Sequence, residues 1–250
     1  CCDTNHTKLA IIRKLAASKM RNMPSDINIL YIHGMGGGGD SRIPAILKQN
    51  INDFIPKDSG IYINVVVRTY DFDPEVARTQ IAGWVEELRP ALIAGESLGA
   101  LNAIRIEGLP HILVSPSLNA PLYLGYLAFL ALIPGMTWIL DMIYRPKPGD
   151  RQRLHFTFRT LRHYREHRRK ALACSPANGG KDYFYAFFGE YDHYCKSRIV
   201  CRDTWCRYFG KDSFETYPGT HFMEEEYVLS RLVPKILSVL GIDCIDKGGV

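Results

Sequence analysis

The stretch Ala91-Leu92-Ile93-Ala94-Gly95-Glu96-Ser97-Leu98-Gly99-Ala100-Leu101 decides how the rest of the chain is read. A short apolar run enters a Gly-x-Ser-x-Gly pattern, and an apolar-periodic segment leaves it. That order predicts a strand, a sharp turn and a helix. Such a turn holds its serine in strained backbone geometry at the end of the strand. Gly95 and Gly99 remove side chains that would collide across it. The helix that follows offers free backbone N–H groups and a partial positive charge beside Ser97. Patterns of five small residues recur by chance, so the weight lies in the strand before and the helix after. The bland alternative is an ordinary strand-to-helix turn.

Similar apolar runs lie on either side, at residues 27–32, 61–67, 111–115, 183–188 and 213–217. Most are continuous rather than alternating, as strands buried on both faces are. Helical periodicity falls between them, at 43–54, 74–88, 98–106, 199–208 and 224–240. The alternation predicts a mainly parallel sheet of about six strands with right-handed crossovers. Residues 7–20 read as a basic amphipathic helix within an N-terminal segment 1–23. At 73–75, Asp-Pro-Glu reads as a helix start, with Asp73 as its cap.

A serine hydroxyl needs a base, and the base needs an orienting acid. The run 183–188 leads into Gly189-Glu190-Tyr191-Asp192, and 213–217 leads into Pro218-Gly219-Thr220-His221. In a parallel sheet Ser97, Asp192 and His221 would all fall at the carboxyl edge, where ligands bind. Taken singly, Asp192 reads as a helix cap and His221 as a loop histidine. Glu190 is the rival acid. An oxyanion hole needs two fixed donors. The Leu98 N–H is one candidate. The glycine-rich turn His33-Gly34-Met35-Gly36-Gly37-Gly38-Gly39 supplies the other, with Met35 N–H the best placed. That turn could instead cradle phosphate, but it lacks the Lys-Ser/Thr ending of a P-loop.

Together these segments resemble the α/β-hydrolase superfamily, in its small serine esterase/lipase-like branch, over residues 27–240. The resemblance implies a three-layer α/β-hydrolase fold. It also implies Ser97 as nucleophile, His221 as base, Asp192 as acid, Met35 and Leu98 as oxyanion donors, and Gly34, Gly95 and Gly99 as supporting glycines. No cofactor and no metal are implied. The expected substrate is a small-molecule ester or thioester with an apolar acyl part. The superfamily's usual first two strands have no counterpart, and the helix at 7–20 stands in their place.

The whole chain reads as one domain, residues 1–250, with an insertion at 116–182 where the superfamily carries a helical lid. Residues 108–140 contain no Asp, Glu, Lys or Arg, whereas 145–170 hold ten Lys and Arg against Asp150 and Glu166. One membrane crossing between Ser97 and Asp192 would separate them, so two short lid helices lining an apolar pocket are expected. The basic part reads either as a solvated helix face or as attraction to an anionic surface. Peripheral contact with an anionic membrane is the functional form of that reading. No recognised nucleic-acid module accompanies it, and no nucleic-acid partner is expected. The rival reading of the whole chain is a catalytically silent binding or membrane-docking module.

Composition fits a globular chain: 250 residues, 46% hydrophobic, 23% charged, net charge +5. Intrinsic disorder and a disulfide-stapled miniature are excluded. Seven cysteines without a Cys-x-x-Cys pair give no zinc spacing. They read as free thiols in a reducing, cytoplasmic setting, with a cluster of Cys195, Cys201 and Cys206 the alternative. The first residue is cysteine, so trimming is expected, and a removed signal segment would leave no trace.

Overall fold

Six parallel strands carry the molecule, and consecutive residues along them point to opposite faces, both of which are covered. The computed structural model describes residues 26–245. The helix predicted over 7–20 lies outside them. The strands are β1 (Asp26–Ile32), β2 (Tyr62–Val67), β3 (Leu92–Glu96), β4 (His111–Val114), β5 (Phe184–Gly189) and β6 (Phe214–Tyr217). They lie in the order β2-β1-β3-β4-β5-β6, every pair parallel. The direction of winding reverses between β1 and β3. That reversal opens a crevice at the carboxyl edge. Register pairs Ile32 with Gly95 there, so the turn after β1 lies beside the turn after β3.

Leu30, Ile32, Ile93, Leu113, Ala186 and Phe188 face one apolar layer. It is built with α2 (Pro74–Leu88), α3 (Gly99–Ile104), α6 (Phe158–Ala173) and α7 (Arg202–Phe209). Their neighbours Ile29, Tyr31, Ala94, Ile112, Val114 and Phe187 face the other layer. Here α1 (Arg42–Asn50) and α8 (Val233–Leu240) cover the sheet. Each of the larger of these side chains contributes about 1.5–3 kcal/mol by leaving water, which is why the inner strands read as largely apolar runs.

Asp73 caps α2, accepting from Glu75 N at 2.9 Å, with Pro74 in the first turn. The helix predicted over 224–240 is interrupted. A single turn (Glu225–Tyr227) passes into a π-helical segment (Val228–Leu232) before α8. Pro234, at the start of α8, has no N–H to donate back into that turn, so the ladder widens ahead of it.

Between β4 and β5 lie three α-helices, α4 (Ala120–Leu130), α5 (Met136–Ile143) and α6, and a 3-10 turn (Pro176–Asn178). Thr157 caps α6 through Thr160 N at 3.1 Å, and α6 buries Leu161, Tyr164, Ala171 and Leu172 in the core. It is thus the crossover helix between β4 and β5. The apolar side chains of α4 and α5 divide. Leu124, Ala128 and Leu140 are buried, while many others face solvent.

Three buried histidines make a pH-dependent contribution to stability. Burial lowers His33 and His111 to about 4. Burial and the neighbouring Arg105 lower His167 to about 3. In the unfolded chain each binds a proton near 6.5, so below that pH the unfolded state binds more protons than the fold. The stability these groups supply is complete above about 6.5 and is lost as pH falls through their folded values. The urea midpoint is expected to drop clearly between pH 7 and pH 4.5. Equal midpoints would contradict this account.

Candidate active site

Ser97 ends β3 with φ of 49°, in the left-handed region that a side chain adopts only when its surroundings enforce it. Its N–H donates to Val114 O at 2.9 Å, which fixes the turn to β4. A Cβ on Gly95 would sit 3.2 Å from Ala103 Cβ and 3.3 Å from Leu113 Cδ2. A Cβ on Gly99 would overlap the backbone carbonyls of His33 and Ile32. The two glycines therefore let α3 start hard against the end of β1.

His221 and Asp192 come to Ser97 from the ends of β6 and β5. Tyr217 donates to Thr220 O at 2.7 Å, and Thr220 donates from N and Oγ1 to Glu224, so the turn before His221 is tied at both ends. His221 Nε2 lies 3.0 Å from Ser97 Oγ, and Nδ1 lies 2.7 Å from Asp192 Oδ2. With Nδ1–H donating to the carboxylate, Nε2 of a neutral ring is left to accept from the serine. Asp192 also accepts from Tyr194 N at 2.8 Å, and both the imidazole and the carboxylate are buried. The rings of Tyr194 and Phe222 meet His221 at 4.6 and 5.1 Å. Glu190 turns away and accepts from Thr216 Oγ1.

The glycine-rich turn beside Ser97 is almost fully bonded within the protein. Gly34 N donates to Glu96 Oε1, Gly36 N to Gln152 Oε1, Gly37 N to Gly34 O, Gly38 N to Ser41 Oγ and Gly39 N to Thr69 Oγ1. Such a turn has few amides left for a phosphate. Met35 N, like Leu98 N, has no acceptor among the described residues. A Cβ on Gly34 would stand 3.1 Å from Ser97 Cβ, so this backbone reaches the serine itself. Glu96 is held by Tyr31 as well, at 3.0 Å, and burial pushes its carboxyl above the usual range.

Two participants escaped the sequence reading. Ser117 Oγ is 3.2 Å from Ser97 Oγ, and Ser117 N donates to Ser97 O at 3.0 Å. Its only signal was a position just past β4, on the same edge. Gln152 is buried and anchors the glycine turn from 116 residues away, while its Nε2 donates to Tyr70 O and Asp71 O. Nothing local marks that role. Among the described residues, no three His, Cys, Asp or Glu side chains gather to hold a metal.

No protein-family model matches the chain, and no curated protein sequence does. Solved structures do match. A thermophilic esterase of Thermogutta terrifontis is 14% identical, with 84% of this chain and 88% of that one covered and a TM-score of 0.55. The fluorophosphonate-binding serine hydrolase F of Staphylococcus aureus is 12% identical, covering 88% and 86%, with a TM-score of 0.53. A peroxisomal α/β-hydrolase of Saccharomyces cerevisiae is 11% identical, covering 92% and 82%, with a TM-score of 0.50. The chain has the α/β-hydrolase fold.

Within this α/β-hydrolase fold the basic stretch has two fates. Arg168 turns inward, donating from Nε to Leu118 O at 2.7 Å and from Nη2 to Asn119 Oδ1 at 2.9 Å. It thereby holds the segment that carries Ser117. Arg169 and Lys170 pair with Glu166. Arg145, Lys147, Arg153, Arg159, Arg162 and Arg165 remain exposed. No helix among the described residues is long and apolar enough to cross a membrane.

Proposed function

We propose that this chain is a serine hydrolase that cleaves a carboxylic ester or thioester through an acyl-enzyme on Ser97. The observation that carries this reading is the line from Ser97 Oγ through His221 to Asp192, at 3.0 and 2.7 Å. Ser97 Oγ attacks the carbonyl carbon as its proton passes to His221 Nε2. The oxyanion is met by the amides of Met35 and Leu98, which have no other acceptor among the described residues. The tetrahedral species expels the alcohol or thiol, which takes the proton from His221. Water then attacks the acyl carbon with His221 as base, releasing the acid and restoring Ser97. Asp192 orients the imidazole and offsets its positive charge.

Met35 and Phe222 are exposed beside the site, which favours an apolar acyl part. The lid role of the insertion narrows to α4, α5 and the segment running to 157, because α6 belongs to the core.

The test is covalent labelling with a fluorophosphonate followed by peptide mapping. Modification confined to Ser97 supports the reading. A protein that is never labelled would be the silent binding module instead.

Gln152 gives a second test. Gln152→Ala frees Gly36 N and loosens the turn that aims Met35 N. A displacement near 1 Å in such a donor costs about a hundredfold. The loss is expected in kcat, with KM nearly unchanged. A variant with parent kcat would remove Gln152 from this role.

A further inference from the structure

Beyond hydrolysis, the surface that α4, α5 and the strap that follows them (residues 144–157) present calls for an occupant. The two helices expose Tyr126 (73%), Phe129 (68%), Trp138 (69%) and Ile143 (64%), with Leu132 and Ile133 at the turn between them. Scattered apolar side chains on a surface are ordinary, but a continuous hairpin of them is not. No charged residue interrupts 108–140.

At the base of this hairpin lies a cavity of about 400 Å³, lined by Arg145, Lys147, Arg151 and Arg153. The acids around it are already engaged. Asp141, also in the lining, accepts from His155 at 2.6 Å and from Phe156 N at 2.8 Å. Asp40 pairs with Arg151 at 2.8 Å, and Asp150 accepts from Thr69 at 2.6 Å. Arg145, Lys147 and Arg153 have no ion-pair partner among the described residues. An apolar hairpin, its one charge at Asp141 bonded to His155 and Phe156 N, above Arg145, Lys147 and Arg153 is complementary to an acyl layer beneath anionic headgroups. A protein partner would have to supply a large apolar face edged with acids. A bilayer containing anionic phospholipid has that arrangement throughout.

We propose that the α4–α5 hairpin and the cavity at its base dock this protein on an anionic phospholipid membrane. The hairpin enters the interface, and the cavity receives a headgroup phosphate. Trp138 and Tyr126 are the residue types that settle at that boundary. The strap lining the cavity also touches the glycine turn. Gly38 bridges to Arg151, and Gln152 N donates to Gly37 O at 2.6 Å. Docking therefore sets the carboxyl edge of the sheet close to the membrane.

The experiment is co-sedimentation of the full chain with vesicles of phosphatidylcholine, alone or with phosphatidylserine, at low and high salt, with tryptophan emission recorded. It needs no turnover, so it stands or falls apart from the hydrolase reading. Expected are binding to the mixed vesicles only, weakening with salt, and a blue shift that disappears in Trp138→Phe. Each cation near the surface is worth about 1 kcal/mol, roughly fivefold in affinity, so combining Arg145→Glu, Lys147→Glu and Arg153→Glu should cost a hundredfold or more. Phe129→Ser, which changes no charge and lies away from the core, should also weaken binding. No binding to mixed vesicles at low salt would overturn the proposal. So would equal binding to neutral vesicles, retention by the triple variant, or a concentration-dependent dimer that shields Trp138 without lipid. Inorganic phosphate bound in the cavity without any vesicle binding would assign it to a soluble anion and overturn it likewise.

Discussion

Replacing Ser97 by alanine is expected to lower ester turnover by roughly a millionfold and to abolish fluorophosphonate labelling. The size of the loss follows from how the three groups act as a unit. In the proposed mechanism His221 and Asp192 only prepare a proton transfer, and without the hydroxyl there is nothing to prepare. A residual rate of roughly a thousandfold over water should survive, because the Met35 and Leu98 amides still meet an oxyanion formed by direct attack of water. Stability should change little. Alanine and serine suffer similarly at φ of 49°, and the lost hydroxyl bonds to His221 and Ser117 are worth about 1 kcal/mol net. Ser97→Gly separates the two effects further. Glycine adopts this backbone without strain, so that variant should be inactive yet more stable than Ser97→Ala, by about 1 kcal/mol. Kinetics on a soluble ester and a thermal melt of the two variants decide the matter. Turnover near the parent rate in Ser97→Ala would place the nucleophile elsewhere.

What could be read from the sequence was whatever repeats along it. The inner strands bury both faces and read as largely apolar runs, whereas the edge strands β2 and β6 are partly exposed and mix Asn64, Glu215 and Thr216 among apolar residues; the order of those runs carried Ser97, Asp192 and His221 to one edge. Asp192 rather than Glu190 lies against His221, because two further residues take the chain off β5 and back toward it. Gln152 and Ser117 were not legible, because their roles depend on long-range contacts that no local pattern records. The packing role of Gly38 and Gly39 was not legible for the same reason. Their lack of side chains leaves room for Asp150 and Arg151, which a Cβ on either glycine would strike. A phosphate cradle would look identical in sequence. The basic stretch likewise concealed two populations: Arg168 faces the interior, while Arg145, Lys147 and Arg153 face solvent, and only their partners tell them apart.

Gly99→Ala should be among the most damaging single methyls in the described residues. The added Cβ would meet the carbonyl oxygens of His33 and Ile32, which are backbone atoms of β1 and cannot rotate aside. Relief requires α3 to move off the sheet, and α3 carries Ala100, Leu101, Ala103 and Ile104 wholly buried in the core. Overpacking at this depth costs about 3 kcal/mol or more, a large share of the 5–15 kcal/mol typical of a domain. Any folded fraction should also be inactive, because Leu98 N and Ser97 move with the helix start. Gly95→Ala should cost less, since its Cβ comes no closer than 3.2 Å to Ala103 Cβ and 3.3 Å to Leu113 Cδ2, and the leucine can turn aside. Gly83→Ala is the control. It lies in α2 with nothing within 4 Å, so alanine there should add up to about 1 kcal/mol through helix propensity. Urea titrations should therefore rank the midpoints Gly99→Ala lowest, then Gly95→Ala, then the parent, then Gly83→Ala. If Gly99→Ala unfolded with the parent, α3 would not be seated against β1 as described, and the backbone strain at Ser97 would lose the packing that enforces it.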